Sequence, residues 1–353
     1  MLNFALVGCG KMAHWHAQQV YQIPDVEVVA VVDPAPQRTK EIKDKYFPRA
    51  VELPTFDQLL SHPPKKLDAA IFVTPHSLHY PQATAAMEHG LHVLLEKPMV
   101  TSSHHAYDLW RTVKKTGKLL GITYQAPYTA NYAYLARQRD ADQLGKIQMI
   151  SGWLSQAWLT NTAGTWRQDP AVSGGGQMYD SGSHLLNGIM WLMNDPVIDV
   201  GCIYDKCASP VDINGVAIAR FQKGAIASIA IGGNCPNFRT EIQIQTDKML
   251  IIVDQYGGKL EMTGRDGKRI LPHPEDEEPL AAAGRDAAAA AAALSPTQAP
   301  GTPHTNFINA LLGREQLVCP VRYGVLLSVL MDAMYESAAT GKLVKVEPVP
   351  GDI

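Results

Sequence analysis

Cysteine is scarce in this 353-residue chain: Cys9, Cys202, Cys207, Cys235 and Cys319 are the full set. The count is odd and no C-x-x-C pair occurs, which argues against both a disulfide framework and a thiolate zinc site. Long apolar runs are missing too. No stretch of about 18 apolar residues is present, so no transmembrane helix is expected. No basic segment with an apolar core precedes the first glycine of MLNFALVGCG. A secretory leader is therefore not expected, and the expected location is the cytoplasm. Neither sign of charge dominates: 31 Lys and Arg face 34 Asp and Glu, for a formal net charge of -3. That balance gives no reason to expect nucleic acid or an anionic membrane as partner.

What is present is a globular composition, 46% hydrophobic and 18% charged, in a chain too long for one ordinary core. In the first 120 or so residues, short β-rich runs (Phe4–Val7, Val26–Val32, Ala69–Val73, His92–Leu95, Leu119–Thr123) alternate with helix-length segments (Met12–Gln22, Gln37–Tyr46, Tyr80–His89, Ser102–Thr116). Such alternation predicts parallel βαβ units, and continuously apolar strands predict a sheet covered on both faces. Near Gly145 the texture changes. Strands are expected at Ile147–Leu154, Asp199–Cys207, Gly215–Phe221, Ala225–Gly232, Thr240–Thr246, Met249–Val253 and Lys259–Thr263, separated by tight turns such as Gln222-Lys223-Gly224 and Arg265-Asp266-Gly267. A helix is expected at Gln177–Met193, and others at His304–Leu312 and Tyr323–Thr340. Residues 272–301 carry an acidic patch, Glu275–Glu278, and seven alanines, Ala287–Ala293, which read as a surface feature without chemistry.

Gly8-Cys9-Gly10-Lys11-Met12-Ala13 fits G-x-G-x-x-G/A between an apolar strand and a helix. Gly8 permits a tight turn, Gly10 admits a pyrophosphate to the backbone, and Ala13 lets helix and strand pack closely. The helix start at Lys11 and Met12 offers N–H groups and positive dipole to phosphate. The next strand ends at Asp33, where a carboxylate accepts from both adenine-ribose hydroxyls and repels a 2′-phosphate. NAD is therefore the expected cofactor; nearby Arg38 keeps NADP possible. Glu96-Lys97-Pro98 follows another strand at its carboxyl end, where open α/β sheets bind ligands. Asp180 and His184 are four apart, on one face if Gln177–Met193 is helical. A base near pKa 7, such as His184, suits removal of a hydroxyl proton during hydride transfer.

Taken with Thr74-Pro75-His76-Ser77-Leu78-His79, Trp166-Arg167-Gln168-Asp169-Pro170, the glycine run Gly174-Gly175-Gly176 and the tail Tyr335–Lys342, these motifs resemble the Gfo/Idh/MocA family over nearly the whole chain. The resemblance implies an α/β fold: an N-terminal Rossmann doubly wound parallel sheet over 1–123, then a C-terminal α+β domain with a large, mostly antiparallel open sheet over 124–353, whose last helix can return to the first domain. It implies an NAD(P)-dependent oxidoreductase acting on a hydroxyl or carbonyl carbon of a sugar, cyclitol or related polyol. Lys97, His184 and Asp180 are the implied catalytic residues. Gly8, Gly10, Lys11, Met12, Asp33, Arg38, Thr74, Pro75, His76, His79, Glu96, Lys97 and Gln125 are expected to hold cofactor. Lys97, Tyr124, Trp166, Arg167, Asp180 and His184 are expected to meet substrate. The family also implies a homodimer or homotetramer built through the second sheet.

Two positions depart from the family pattern. Asn187 stands where many members carry an aspartate, and Tyr124-Gln125 where many carry a basic residue. The same fold also hosts two alternatives: a redox-neutral glycosidase that keeps NAD bound, and a non-catalytic cofactor-binding regulator. His14 and His16, and His104 and His105, have no carboxylate or cysteine partner that sequence alone can place, so no metal site is expected.

Overall fold

The computed structural model describes residues 1–270 and 301–351. The acidic patch and the alanine run lie outside the described residues. Two compact units are distinguished, the first chiefly Met1–Tyr124 with Thr302–Ser328, the second within Gln125–Gly301 and Val329–Pro350.

The first unit holds six parallel strands: β1 (Leu2–Val7), β2 (Val26–Val32), β3 (Val51–Leu53), β4 (Ala69–Phe72), β5 (His92–Leu95) and β6 (Leu120–Ile122). Their order is β3-β2-β1-β4-β5-β6, the doubly wound arrangement with its switch point between β1 and β4. β4 is buried at all four positions and β2 at its last five, as expected for strands covered on both faces. The covering helices are α1 (Ala13–Tyr21), α2 (Pro36–Tyr46), α3 (Phe56–Ser61), α4 (His76–Glu88) and α5 (Ser103–Thr116). α4 starts four residues before the expected Tyr80, directly after the extended Pro75, and carries Pro81 inside it. A later helix, Pro303–Leu311, completes this core. Phe307 and Ile308 pack with Phe4, Leu6, Ile71 and Leu94, and the Phe4 and Phe307 rings meet edge-on at 6.2 Å. Burying one such ring is worth roughly 1.5–3 kcal/mol.

The second unit carries a nine-stranded sheet, with β7 (Ile147–Ser155), β8 (Val197–Asp205), β9 (Asn214–Phe221), β10 (Ile226–Gly232), β11 (Arg239–Thr246), β12 (Met249–Val253), β13 (Leu260–Gly264), β14 (Arg269–Ile270) and β15 (Val344–Lys345) in the order β14-β13-β12-β11-β7-β10-β9-β8-β15. Every pair is antiparallel except β7 with β10. Its helices are α6 (Ala130–Asp140), the single turns α7 (Trp158–Asn161) and α8 (Pro170–Ser173), and α9 (Gly182–Met193). α9 covers one face. A side chain at Gly152 of β7 would run into Ile189 and Leu185 of α9. On the other face Trp153, Ile203, Val216 and Ile218 are exposed. α10 is the helix Pro303–Leu311 named above, and α11 spans Val321–Thr340. Among the described residues no helix is long and apolar enough to cross a membrane.

Candidate active site

The carboxyl ends of β1, β2, β4 and β5 gather most of the expected cofactor residues in the first unit. After β1 the backbone turns at Gly8 with φ +90°, and a Cβ there would sit 2.6 Å from the Val73 carbonyl oxygen. Only glycine fits that turn. At Gly10, by contrast, an added Cβ would find nothing within 4 Å, which is the open approach a pyrophosphate requires. No side chain caps α1 at Met12; the Ala13 and Trp15 N–H groups go to the Gly10 and Met12 carbonyls, and the positive end of the helix dipole remains to favour an anion. Lys11 and Met12 are exposed beside it.

Asp33 ends β2 and is buried. Its Oδ2 accepts from the Cys9 N–H at 2.9 Å and its Oδ1 from the Ala35 N–H at 2.9 Å. Each carboxylate oxygen has a second acceptor direction, so ribose hydroxyls can still be bound. The exposed Arg38 lies 3.9 Å from Oδ1. Burial, followed by the charge of Asp33, pushes the Cys9 thiol up to about 12. Cys9 is therefore no nucleophile in this turn.

Thr74 and Pro75 leave β4, and His76 opens α4. His79, one helical turn on, is wholly buried. Its Nδ1 lies 2.9 Å from the Pro98 carbonyl and its Nε2 2.9 Å from the Thr74 carbonyl. The ring lies between the β4 exit and the β5 exit, and as a neutral imidazole it donates its single N–H to one of those two carbonyls. Burial pushes its pKa down, against the pull of those two carbonyls and Glu96. At the β5 exit the Glu96 Oε2 accepts from the N–H of Lys97. Glu96 is buried, whereas Lys97 is partly exposed. Tyr124 is wholly buried just past β6.

In the second unit the expected helix Gln177–Met193 begins only at Gly182. Asp180 therefore lies in the turn before α9, not on the helix face with His184. The reason is Asp212, which is buried and accepts from the N–H groups of Gly176 and Met178 at 2.7 and 2.8 Å, while the Gln177 N–H goes to its backbone carbonyl. These bonds hold the glycine run in a non-helical path. Tyr335 on α11 donates to Asp212 Oδ1 at 2.5 Å. Burial, with the charge of Asp212, keeps the Tyr335 pKa well above its ordinary value, so the phenol stays a donor.

Asp180 itself is buried between two donors. Its Oδ2 accepts from the Trp158 indole N–H at 2.9 Å and from Arg167 Nε at 3.1 Å. The Arg167 guanidinium also lies over the Trp166 ring, 4.5 Å from its centre. The structure thus brings Trp166, Arg167 and Asp180 together. His184 sits partly exposed in the first turn of α9, with Tyr256 5.9 Å from it, ring to ring. Asn187 is buried. Gln125 precedes a short turn, Ala126–Tyr128.

Some partners had no sequence signal. His16 has the carboxylate that sequence alone could not assign, Glu96 at 3.1 Å, whereas His104 lies 3.4 Å from Asp108, an i,i+4 pair that the expected helix Ser102–Thr116 already implies. Asp212 and Trp158 join the second site from sequence distances of 34 and 22 residues.

Residues 2–124 match the family described as the oxidoreductase family with an NAD-binding Rossmann fold, and residues 132–252 match the GFO/IDH/MocA C-terminal domain. The chain belongs to the GFO/IDH/MocA family. Family members similar to it include the D-glucoside 3-dehydrogenase of Escherichia coli (strain K12), 26% identical over 56% of this chain and 55% of that protein. Another is the scyllo-inositol 2-dehydrogenase (NAD(+)) of Bacillus subtilis (strain 168), 29% identical over 42% of this chain and 43% of the relative. The chain spans about half the length of the curated relatives it matches. Among solved structures, the WlbA dehydrogenase from Bordetella pertussis in complex with NADH and UDP-GlcNAcA aligns with TM-score 0.82 at 24% identity over 99% of both chains. A levoglucosan dehydrogenase in complex with NADH aligns with TM-score 0.82 at 19% identity, over 99% of this chain and 100% of that one. At such identities the likeness is one of fold.

Proposed function

We propose that the chain is an NAD-dependent dehydrogenase, with NADP as an alternative cofactor, that moves a hydride to or from a hydroxyl-bearing carbon of a sugar, cyclitol or related polyol. The observation that carries this reading is the first βα turn: strained at Gly8, open at Gly10 and closed by Asp33. Those residues fit a dinucleotide, with Gly8, Gly10, Lys11 and Met12 at the pyrophosphate and Asp33 at the adenine ribose. Arg38 lies beside that ribose position. Thr74, Pro75, His76, His79 and Glu96 shape the nicotinamide half, with Gln125 at its edge. When bound, the nicotinamide supplies the hydride acceptor.

The protein's own part is position and proton handling. The Lys97 ammonium stabilises alkoxide character on the substrate oxygen. The His184 imidazole takes the hydroxyl proton in oxidation and returns it in reduction. Arg167, with Trp166, holds substrate; Tyr124, expected there from the sequence, is wholly buried and packs at the β6 exit instead. Asp180 contributes by fixing the Arg167 side chain through Nε. The dehydrogenase relatives of known substrate support the substrate class.

Purified protein with NAD and a panel of sugars and cyclitols is expected to produce NADH. Lys97→Ala and His184→Ala are expected to lower kcat by roughly 10²–10⁴-fold while leaving cofactor affinity nearly intact. Equal loss of turnover and cofactor binding would overturn the assignment. Cleavage of a chromogenic glycoside without net NADH would replace it with the redox-neutral reading.

We also propose a homodimer or homotetramer through the outer face of the second sheet, where Ile203 is 69% and Ile218 59% exposed. Exposed apolar residues on one face mark an interaction surface. Analytical ultracentrifugation should show an oligomer, and Ile218→Lys a smaller species.

A further inference from the structure

Three titratable side chains lie in a row inside the first unit: Glu96, placed above at the nicotinamide half, and two histidines that have no part in the chemistry above. His16 is the fourth residue of α1, on its buried face with Ala13, Ala17 and Val20. Its Nε2 lies 3.1 Å from Glu96 Oε1, and its Nδ1 lies 2.9 Å from His304 Nε2. Both rings are wholly buried. Trp15 stands edge-on to each, with centroids 4.9 and 5.2 Å away. His304 is set in the first turn of α10 by Pro303 and a capping box between Thr302 and Thr305. The far oxygen of Glu96 accepts from the Lys97 N–H.

Counting protons fixes how this row is wired. A nitrogen-to-nitrogen contact holds one proton, and an ionised carboxylate only accepts. With both rings neutral, one arrangement satisfies every contact. His304 Nε2–H donates to His16 Nδ1, and His16 Nε2–H donates to Glu96. Burial pushes the His304 pKa well down, and the neighbouring His16 adds to it, in keeping with a neutral ring. His304 Nδ1 is buried and has no hydrogen-bond partner among the described residues, so the row is anchored at its Glu96 end, and its two contacts are what a buried polar row needs to hold its shape there.

We propose that His16 and His304 are positioning residues for the lysine turn: held as Nε2–H tautomers, the two rings fix the Glu96 carboxylate and, through its other oxygen, the backbone of Lys97. The catalytic consequence rests on the role given to Lys97 above. The wiring and its effect on the turn do not.

The test uses the full chain with ¹⁵N-labelled histidine, and His304→Leu beside His304→Gln. Imidazole NMR of the wild type at neutral pH is expected to find both rings as Nε2–H tautomers. His304→Leu removes the donor to His16. Hydrogen exchange at the Lys97 amide is then expected to quicken roughly tenfold, and kcat to fall roughly tenfold to a hundredfold with little change in cofactor affinity. The glutamine amide can donate to His16 Nδ1, so His304→Gln is expected to restore both. An Nδ1–H tautomer or an imidazolium at either ring would overturn the wiring. Unchanged exchange at Lys97 in a folded His304→Leu, or equal losses with leucine and glutamine, would overturn the positioning role. If the wild type turns over no sugar or polyol, the role of Lys97 fails, while the tautomer and exchange results still decide the proposal.

Discussion

The N–H of Cys9 donates to Asp33 Oδ2 at 2.9 Å, so the carboxylate at the end of β2 braces the phosphate turn after β1. Asp33→Ala should cost twice over. It removes an acceptor from two buried N–H groups, those of Cys9 and Ala35, and it removes the charge that disfavours a 2′-phosphate. NAD affinity is expected to drop at least tenfold, since a bond to a charged group is worth about 1.5–3 kcal/mol. The ratio of NADP to NAD affinity should rise, with Arg38 close by. Fluorescence titration with both cofactors reads this directly, and an unchanged ratio would count against Asp33 as the discriminator.

Gly8 and Gly10 are expected to fail in opposite ways. Gly8→Ala forces a Cβ into φ +90° and against the Val73 carbonyl, so it should destabilise the fold by at least about 1–3 kcal/mol. Gly10→Ala meets no protein atom and should fold as well as the wild type while binding NAD poorly. Urea unfolding paired with NAD titration separates the two. A Gly10→Ala protein that binds NAD normally would remove the pyrophosphate from that position.

Arg167 and Asp180 should be coupled. The pair is one-third exposed on the arginine side, at 30%, and buried on the aspartate side, at 7%. A double-mutant cycle with Arg167→Met and Asp180→Asn is expected to give a coupling of roughly 1 kcal/mol in unfolding free energy. Asp180→Ala should cost more than Asp180→Asn, because Trp158 also loses its acceptor. Additive single-variant effects would mean the contact carries no energy.

Acid should destabilise the first unit early. His79 and His304 are wholly buried, and burial lowers both pKa values from 6.5. Each binds a proton more readily when unfolded. Their stabilising effect is therefore complete above about pH 6.5 and is lost as pH falls toward the folded values, at up to about 1.4 kcal/mol per pH unit for each histidine. Unfolding midpoints measured from about pH 8 to about pH 5 should fall on the acid side, and His304→Gln should flatten the slope. A flat wild-type profile would refute this account.

Local chemistry was legible and distant chemistry was not. Gly8, Gly10 and Asp33 stand out because one βα unit and the next strand contain the whole turn, and apolar runs spaced by helices mark five of the six parallel strands; their order has no mark in those runs. The nine-stranded sheet was readable through its turns, although the parallel pairing of β7 with β10 has no local mark. Edge strands of two or three residues, β3, β14 and β15, are too short for alternation to show. The start of α9 was misplaced because helical periodicity continues back through Gln177, while the bonds that prevent helix there come from Asp212, some 34 residues away. His16 and His304 are 288 residues apart, and no spacing rule reaches that far.

The return of Thr302–Ser328 to the first unit has a consequence for synthesis. A ribosome that has passed Tyr124 has made all six strands of the first sheet but neither Phe307 nor Ile308, which pack against Phe4 and Leu6. The nascent amino-terminal part waits with an uncovered apolar slot while almost all of the other sheet is translated. A fragment stopping at Tyr124 therefore lacks the two side chains that cover Phe4 and Leu6 and is expected to be less stable than the intact first unit.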